Sequence, residues 1–334
     1  MNLACVEQIA KAVLYEGYML YPYRPSSVKN QQRWNFGVLY PQAYSELQDG
    51  DEAFSMRTEC LVCGTEETAL EVRLRFLHLR TRSTRQSSPD SFQSFPDGWQ
   101  EAVERDVSAQ EYTLERLCQE TVMHEFAFPS QTDVSSETGA GGNSENVVRR
   151  QLAVGGAIEI FAEKLLDKLF KVTICVRNLT PLESAAASRD HALLHSLVSA
   201  HMISGVRNGE FVSLLDPPPE FQDFAGGCRN VGAWPVLVGE PGQRDTLLAS
   251  PIILYDYPQI APESAGDLFD GTEIDEILSL RIMTLTDEEK REIRQSDERA
   301  RQVLERTEAM PAEQFMKLHG AVRGLRPLKE EDAL

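Results

Sequence analysis

Apolar and polar residues alternate along much of the first two thirds of the chain, and this period of two predicts β-strands. The alternation is clearest in four stretches: residues 56–62, 70–79, 151–163 and 169–178. In the second stretch the apolar positions shift register at Leu77 and Leu79, after Phe76. Such a shift predicts either a β-bulge or a strand end that is buried on both faces. The aromatic residues at 15–21 and 33–40, each run closed by a proline, predict two more strands.

Helical spacing replaces the alternation in other parts of the chain. Five apolar residues share one face of a helix predicted over residues 189–204: Leu193, Leu194, Leu197, Val198 and Met202. Residues 3–14 predict a short helix. Near the end of the chain, Thr286 and Glu289 have the spacing of a capping box at the start of a helix. The C-terminal segment, residues 271–334, is therefore predicted to be helical.

The domain organisation follows from one polar segment. Residues 130–146 are rich in serine, glycine, threonine and glutamate, which predicts a flexible linker or loop. This segment separates a strand-rich N-terminal part, residues 1–129, from a strand-rich second part, residues 147–270, although the two could also form one continuous domain. Strands bounded by proline, without regular helical crossovers, predict an α+β fold: strand-rich antiparallel sheets, sandwich-like, with inserted helices and a helical C-terminus.

Charge and hydropathy exclude several classes of protein. The 334 residues include 33 Lys and Arg against 52 Asp and Glu, a formal net charge of -19. Such a chain lacks the dense basic face that phosphate contacts need, so we expect no nucleic-acid partner. No stretch approaches the roughly 20 apolar residues of a membrane span, and the first residues do not read as a signal peptide. We therefore expect a cytoplasmic protein whose six cysteines are thiols. A homo-oligomer stays open.

Cys60 and Cys63 form the most prominent short motif, C-x-x-C. Two thiolates at this spacing can hold one side of a tetrahedral zinc ion, or they can cycle as a dithiol. A structural zinc site needs two further ligands, usually a second close pair, and the sequence has no second pair of this kind. Residues 58–64 predict a strand followed by a turn, without the helix start that lowers the pKa of a redox thiol. Incidental, half-buried cysteines are therefore the favoured interpretation.

His191 and His195 are the second candidate for metal binding. They stand four residues apart, so on the predicted helix their side chains would point the same way and could share a metal ion. His201 would lie on a different face of that helix. The glutamate of the zinc-protease motif is missing between the first two histidines. Ordinary surface or core histidines are therefore the favoured interpretation.

A basic and aromatic segment between residues 18 and 34 stands out in this acidic chain. It contains the candidate interface residues Tyr18, Tyr21, Tyr23, Arg24, Lys29, Arg33 and Trp34. Aromatic residues and arginine are enriched at the centres of protein interfaces. We therefore expect this segment to contact a partner protein.

Long motifs run along most of the chain. Among them are YEGYMLYPYRPSSVKNQQRWNFGVLYP at residues 15–41, VRNLTPL at 176–182 and GEFVSLLDPP at 209–218. In these motifs the chain resembles an uncharacterised bacterial family that is encoded beside [NiFe]-hydrogenase genes of the high-affinity, actinobacterial type. The loops at 83–98 and 130–146 lie outside the resemblance. It implies an association with such a hydrogenase, and it brings no catalytic residues with it.

Two functional hypotheses follow. The first is a non-catalytic accessory protein that assists the maturation, assembly or docking of a [NiFe]-hydrogenase, with a hydrogenase subunit or maturation protein as its partner. The second is a metal- or cluster-handling protein, or an enzyme, that uses Cys60 and Cys63 with one or more of His78, His191, His195 and His201. The first is preferred because the sequence shows no complete catalytic set, and no cofactor is expected.

Overall fold

The computed structural model describes residues 3–15, 34–48, 52–84, 99–138, 144–184, 186–259, 285–287, 290–291, 294 and 298–311. The helices are α1 (Leu3–Tyr15), α2 (Gln42–Leu47), α3 (Leu114–Gln119), α4 (Arg189–Leu193), α5 (Gln222–Gly226) and α6 (Glu298–Glu308). The strands are β1 (Ser55–Thr84), β2 (Trp99–Ser108), β3 (Tyr112–Thr113), β4 (Val122–Phe128), β5 (Gln131–Thr138), β6 (Ser144–Gln151), β7 (Val154–Leu166), β8 (Leu169–Asn178), β9 (Val198–Val212), β10 (Trp234–Leu237) and β11 (Thr246–Ser250).

The described strands form one antiparallel sheet. Its main path runs β10-β11-β9-β1-β8-β7-β4, while β2, β3 and β6 pair with β1 off this path and β5 pairs with β6. The sheet curls, because the rings of Phe126 and Phe128 on β4 each lie 5.9 Å from the ring of Phe76 on β1, measured between centroids, although β8 and β7 separate these strands. The predicted strand-rich antiparallel architecture is confirmed. The predicted sandwich is wrong, because the largest core cluster forms within the curl of one sheet.

Strand β1 is 30 residues long and organises the sheet. It pairs with β8 over residues 55–63, with β9 over 61–77, with β2 over 73–82 and with β6 over 80–84. The two strands predicted between residues 56 and 79 are therefore parts of one strand. Strand neighbours lie on both sides of β1 at residues 61–63 and again at residues 80–82.

Two irregularities in the pairing of β1 with β9 explain the sequence pattern. The register shifts between Gly64 and Ala69, where the hydroxyl of Thr68 donates a hydrogen bond to the carbonyl of Asn208 at 2.7 Å. Polar residues and glycine here have the composition of a turn, so the sequence divides the strand at this point. A second register shift lies between Arg75 and Leu77, at the position where the sequence predicts either a bulge or a strand end buried on both faces.

A long hairpin occupies the segment where composition predicts a flexible linker. β4 and β5, residues 122–138, pair with residues 144–160 in one constant register, from Val122 opposite Ile160 to Thr138 opposite Ser144. The structure thus corrects the linker prediction for residues 131–138 and 144–146, which lie in strands. Composition is misleading here because backbone hydrogen bonds to β6 hold β5, so that little side-chain burial is needed.

The helix predicted over residues 189–204 is wrong beyond its first turns. α4 ends at Leu193, and β9 begins at Val198. The apolar residues in this region are buried as predicted, but β9 is covered on both faces from Val198 to Val206. A strand buried on both faces is continuously apolar, so its period of two disappears and helical spacing can be found within it.

Helix α1 supplies the cover on the outer face of β9. It confirms the helix predicted at residues 3–14. Its apolar side chains pack against β9, β10 and β11 in one cluster: Val6, Ile9, Ala10 and Val13 with Ile203, Val236, Val238 and Leu248. The inner face of β9 contributes Met202 and Val206 to the core within the curl. The two clusters together account for the double burial of this strand.

The remaining sequence predictions fall partly outside the described residues. Tyr15 ends α1, and the rest of the strand predicted at 15–21 is not among the described residues. In the strand predicted at 33–40, Leu39 forms an isolated bridge with Leu197. The predicted helical C-terminus also lies mostly outside them, with α6 as its described helix. Among the described residues, no helix is long and apolar enough to cross a membrane.

Asn178 ties the end of β8 to two neighbouring segments. Its side-chain amide donates to the carbonyls of Leu39 at 2.8 Å and His195 at 2.9 Å, and its oxygen accepts from the backbone of Thr180 at 2.8 Å. Asn178 is fully buried, so water cannot take over its hydrogen bonds to these backbone groups if the side chain is removed.

We expect Asn178→Ala to lower the free energy of unfolding by about 2 to 3 kcal/mol, because it leaves buried polar groups with fewer hydrogen bonds. Urea denaturation measures the change. Asn146→Ala is the control, since this half-buried residue on β6 accepts one side-chain hydrogen bond from Ser136. Equal stability of the two variants would contradict the role assigned to Asn178.

Candidate functional site

The C-x-x-C motif does not form a pair of ligands. Cys60 and Cys63 lie on β1, where a separation of three residues places their side chains on opposite faces of the sheet. Cys60 is fully buried in the inner core, whereas Cys63 is half-buried and packs against Leu61 and Leu169 on the outer face. Burial raises the pKa of both thiols, which disfavours the thiolate form. The expected turn after Cys63 is absent because β1 continues to Thr84.

The rings of His191 and His195 lie next to each other, with centroids 5.1 Å apart in an edge-to-face arrangement. The four-residue spacing brings them together although α4 ends at Leu193 and His195 follows it in a turn. Burial lowers the pKa of His195, and the neighbouring His191 lowers it further. Both effects favour the neutral form of the His195 imidazole.

His78 and His201 are both fully buried, on β1 and β9. His201 Nδ1 lies 3.0 Å from the carbonyl oxygen of Ser199, and burial lowers the pKa of His201 to about 4. Burial, and then the charge of Arg105, lower the pKa of His78 to about 4. Within the described ranges, no group of three or more His, Cys, Asp or Glu side chains could hold a metal ion. The ligand set of the metal hypothesis is therefore not assembled there.

Most of the predicted basic and aromatic interface lies outside the described residues: Tyr18, Tyr21, Tyr23, Arg24, Lys29 and Arg33. Trp34 is described, and it is only 4% exposed. Its indole N–H donates to Gln100 Oε1 at 3.1 Å, and its backbone carbonyl accepts from Arg189 at 2.9 Å. Trp34 packs in a core cluster with Tyr40, so it does not present the exposed aromatic surface that the sequence predicted.

The structure instead brings together four arginines that the sequence separates, and we call them the basic cluster: Arg80 and Arg82 on β1, Arg105 on β2 and Arg149 on β6. Arg80 lies opposite Glu101 on β2, and Arg82 lies opposite Arg149. Alternation along β1 places Arg80 and Arg82 on the same face as Phe76, which belongs to the core within the curl. The basic cluster is therefore a polar continuation of the inner face.

Glu101 is the carboxylate at the centre of the basic cluster. Its Oε2 accepts from Arg80 Nε at 3.1 Å and from Arg149 Nε at 2.8 Å, and its Oε1 lies 3.3 Å from Arg82 Nε. The Glu101 side chain is 8% exposed, and those of Arg80, Arg82 and Arg149 are 27%, 20% and 17% exposed. One buried carboxylate thus contacts three guanidinium groups whose side chains are partly exposed to solvent.

Arg105 is fixed in a different way. Its Nη2 donates to Gln151 Oε1 at 2.6 Å, and its guanidinium carbon lies 4.6 Å from the centroid of the Phe128 ring. Burial lowers the pKa of Arg105, and the positive charge of Arg80 lowers it further. Among the described residues, no carboxylate lies within ion-pair distance of Arg105, so a neutral amide and an aromatic face hold this charge.

This arrangement determines what the basic cluster can do. Guanidinium groups keep their charge at physiological pH and donate several hydrogen bonds in a fixed plane. They can bind or orient a charged group, but they do not exchange protons with it. The basic cluster therefore suits recognition better than acid–base chemistry.

The sequence gives only a partial signal for this site. The R-x-R pattern of Arg80 and Arg82 predicts that the two share a strand face. Arg105 and Arg149 join them through pairings of β1 with two distant strands, and Arg149 lies just after the segment read as a linker. Such long-range pairing cannot be read from local alternation.

We expect Glu101→Gln to lower the free energy of unfolding by about 3 kcal/mol, because it leaves three clustered guanidinium groups without their central carboxylate. Urea denaturation at low ionic strength measures the change. Glu125→Gln is the control, because Glu125 lies on the exposed face of β4. If Glu101→Gln is as stable as the control variant, the ion pairs to Glu101 do not stabilise this part of the sheet.

Comparison with known proteins adds no further constraint. No family model matches the chain, and no curated protein is similar to it.

Proposed function

We propose that this protein is a non-catalytic accessory protein of the cytoplasm that assists the maturation, assembly or docking of a [NiFe]-hydrogenase through protein contacts. The motifs at residues 15–41, 176–182 and 209–218 motivate the choice of partner, because they resemble a family encoded beside such hydrogenases. The structural observation that carries the proposal is the outer edge of the long hairpin.

This edge consists of β4 and β5, residues 122–138. Among the described strands, β4 pairs only with β7 and β5 pairs only with β6, so one side of each has no strand neighbour. An unpaired edge offers backbone N–H and C=O groups to an added strand of another protein. Such an edge is a suitable docking element for an accessory protein.

The side chains along the edge also favour a protein partner. Met123 on β4 is 52% exposed and Val134 on β5 is 66% exposed, while Glu125 and Asp133 add exposed negative charge. Exposed apolar residues on an edge strand are uncommon in proteins that protect their edges with lysine or proline. A partner strand with apolar and basic side chains fits this surface.

The metal- and cluster-handling alternative gains no support from the described residues. Cys60 and Cys63 are on opposite faces, and the burial of both thiols disfavours metal-binding thiolates. The same burial disfavours a dithiol redox cycle.

Affinity purification from a bacterium that carries the hydrogenase genes tests the proposal. We expect a tagged full-length chain to recover a hydrogenase subunit or maturation protein, and Val134→Lys to lower the recovery at least fivefold, because lysine on an edge opposes strand addition. Quantitative mass spectrometry measures the recovery.

Leu215→Lys is the matched control, because Leu215 is 54% exposed and lies after β9, outside the hairpin. This variant should recover the partner as the wild type does. The proposal fails if no hydrogenase protein co-purifies and deletion of the gene leaves hydrogen uptake unchanged. Equal recovery with both variants would reject the hairpin edge as the docking element.

A further inference from the structure

We propose that His78 and His195 form an acid-sensitive latch on a hinge of the long hairpin, and that the hinge opens when these histidines take up protons. The inference is independent of the hydrogenase partner, because it concerns how the hairpin is held against the rest of the sheet. Three observations carry it: an interruption in both strands of the hairpin, two imidazoles bound to that interruption, and buried ring nitrogens without a hydrogen-bond partner.

Both strands of the long hairpin are interrupted at the same level. The pairing of β4 with β7 ends at Phe128 opposite Val154, and the pairing of β5 with β6 begins beyond it in the same register. Between these paired regions, residues 129–130 face residues 152–153, and neither of these two links belongs to a strand. We call the two links the hinge. They join a part of the hairpin that is paired with β8 to a part that is paired with β1.

His78 on β1 holds one residue of the hinge. Its Nε2 atom lies 2.9 Å from the carbonyl oxygen of Leu152. Because a carbonyl only accepts, Nε2 carries the proton of the neutral ring and Nδ1 carries a lone pair. His78 is fully buried against the uncharged ring of Phe128, and its Nδ1 has no hydrogen-bond partner among the described residues. A second proton would therefore create a buried N–H group without an acceptor, which is costly.

His195 holds the next residue of the hinge from a separate part of the chain. Its ring donates a hydrogen bond to the backbone carbonyl of Ala153, and its Nδ1 is buried without a partner among the described residues. The backbone of His195 is itself anchored, because its carbonyl accepts from the side chain of Asn178 at 2.9 Å. Two neutral imidazoles thus bind consecutive carbonyls of the hinge.

The groups around the two rings oppose protonation on balance. Burial, and then the charge of Arg105 on β2, lower the pKa of His78 to about 4, and the neighbouring His195 adds to this effect. Burial, and then His191, lower the pKa of His195. The carbonyl hydrogen bonds and the exposed carboxylate of Glu183 act in the opposite direction, but burial is the largest effect at both rings.

The direction of the pH effect follows from this arrangement. A histidine that is released into solvent regains a pKa near its ordinary value of 6.5, which is above its pKa in the closed latch. The open hinge therefore binds more protons than the closed hinge between about pH 6.5 and pH 4, and acidification through this range favours opening. Well above pH 6.5 the rings are neutral in both states, so the latch is fully effective.

Hydrogen exchange of the full chain at pH 7 and pH 5, corrected for the intrinsic pH dependence of exchange, tests the inference. We expect the opening equilibrium constant of peptides that cover the hinge to rise at least tenfold at pH 5. Asp and Glu residues with ordinary pKa values stay mostly ionised at pH 5, so histidines dominate this range. Mass spectrometry measures the exchange.

The double variant His78→Gln/His195→Gln keeps a side-chain N–H donor at each position but does not titrate. Its pH-dependent rise in opening should be at least threefold smaller than that of the wild type. His124→Gln is the control, because His124 is half-buried on β4 of the same hairpin, outside the hinge. This variant should keep the wild-type rise within twofold.

If circular dichroism shows that the double variant does not fold at pH 7, His195→Gln alone replaces it, with an expected rise at least twofold smaller than that of the wild type. The inference is wrong if the wild-type rise is below tenfold or if the glutamine variant lacks the expected reduction. It is also wrong if His124→Gln reduces the rise as much as the latch variant does.

Discussion

The pairing of one 30-residue strand with neighbours on both sides is the constraint on which the rest of the structure depends. β1 meets β8 at its first end and β6 at its last end, and β6 leads directly into β7, which pairs with β8. The pairings of β1 with β8, of β8 with β7 and of β6 with β1 therefore form a closed circuit. A flat sheet cannot satisfy these pairings, so the sheet curls and its inner face becomes the core.

This curl also creates the basic cluster. The inner face is apolar around Phe76 and Phe126 and becomes polar toward the end of β1, where Arg80 and Arg82 follow on the same face. The charges come from three strands, so no single segment of the chain contains the site. The edge of the hairpin lies on β4 and β5, which, among the strands that the structure describes, pair only with β7 and β6. One topology therefore supplies both a charged patch on the inner face and, at the hairpin, an edge that has no neighbour among the described strands.

The sequence predicts the strand-rich antiparallel character well, because several strands have one face in the core and show a period of two. It fails where burial is double-sided, as at β9, and where polar residues are held by backbone pairing, as at β5. The sequence pattern divides β1 into two strands, because the glycine and polar residues at the register shift after Gly64 have the composition of a turn. Each failure occurs where a distant strand determines the local structure.

The candidate site is less predictable than the fold for the same reason. The two cysteines of the C-x-x-C motif could act together only if the chain turned between or directly after them. Strand β1 continues through the motif, so the side chains of Cys60 and Cys63 lie on opposite faces of the sheet. The spacing of His191 and His195 does bring two rings together. The basic cluster depends on pairings of β1 with β2 and β6, and a single sequence contains no local signal of those pairings.

Native-state hydrogen exchange read by mass spectrometry tests the central role of β1 most directly. If β1 is one continuous strand that organises the sheet, peptides covering residues 55–63 and 73–82 should exchange through the same unfolding event. Their free energies of opening should be equal and should match the free energy of global unfolding. Free energies that differ by more than about 2 kcal/mol between these two regions would contradict the account, because they would show two independently stable units instead of one sheet.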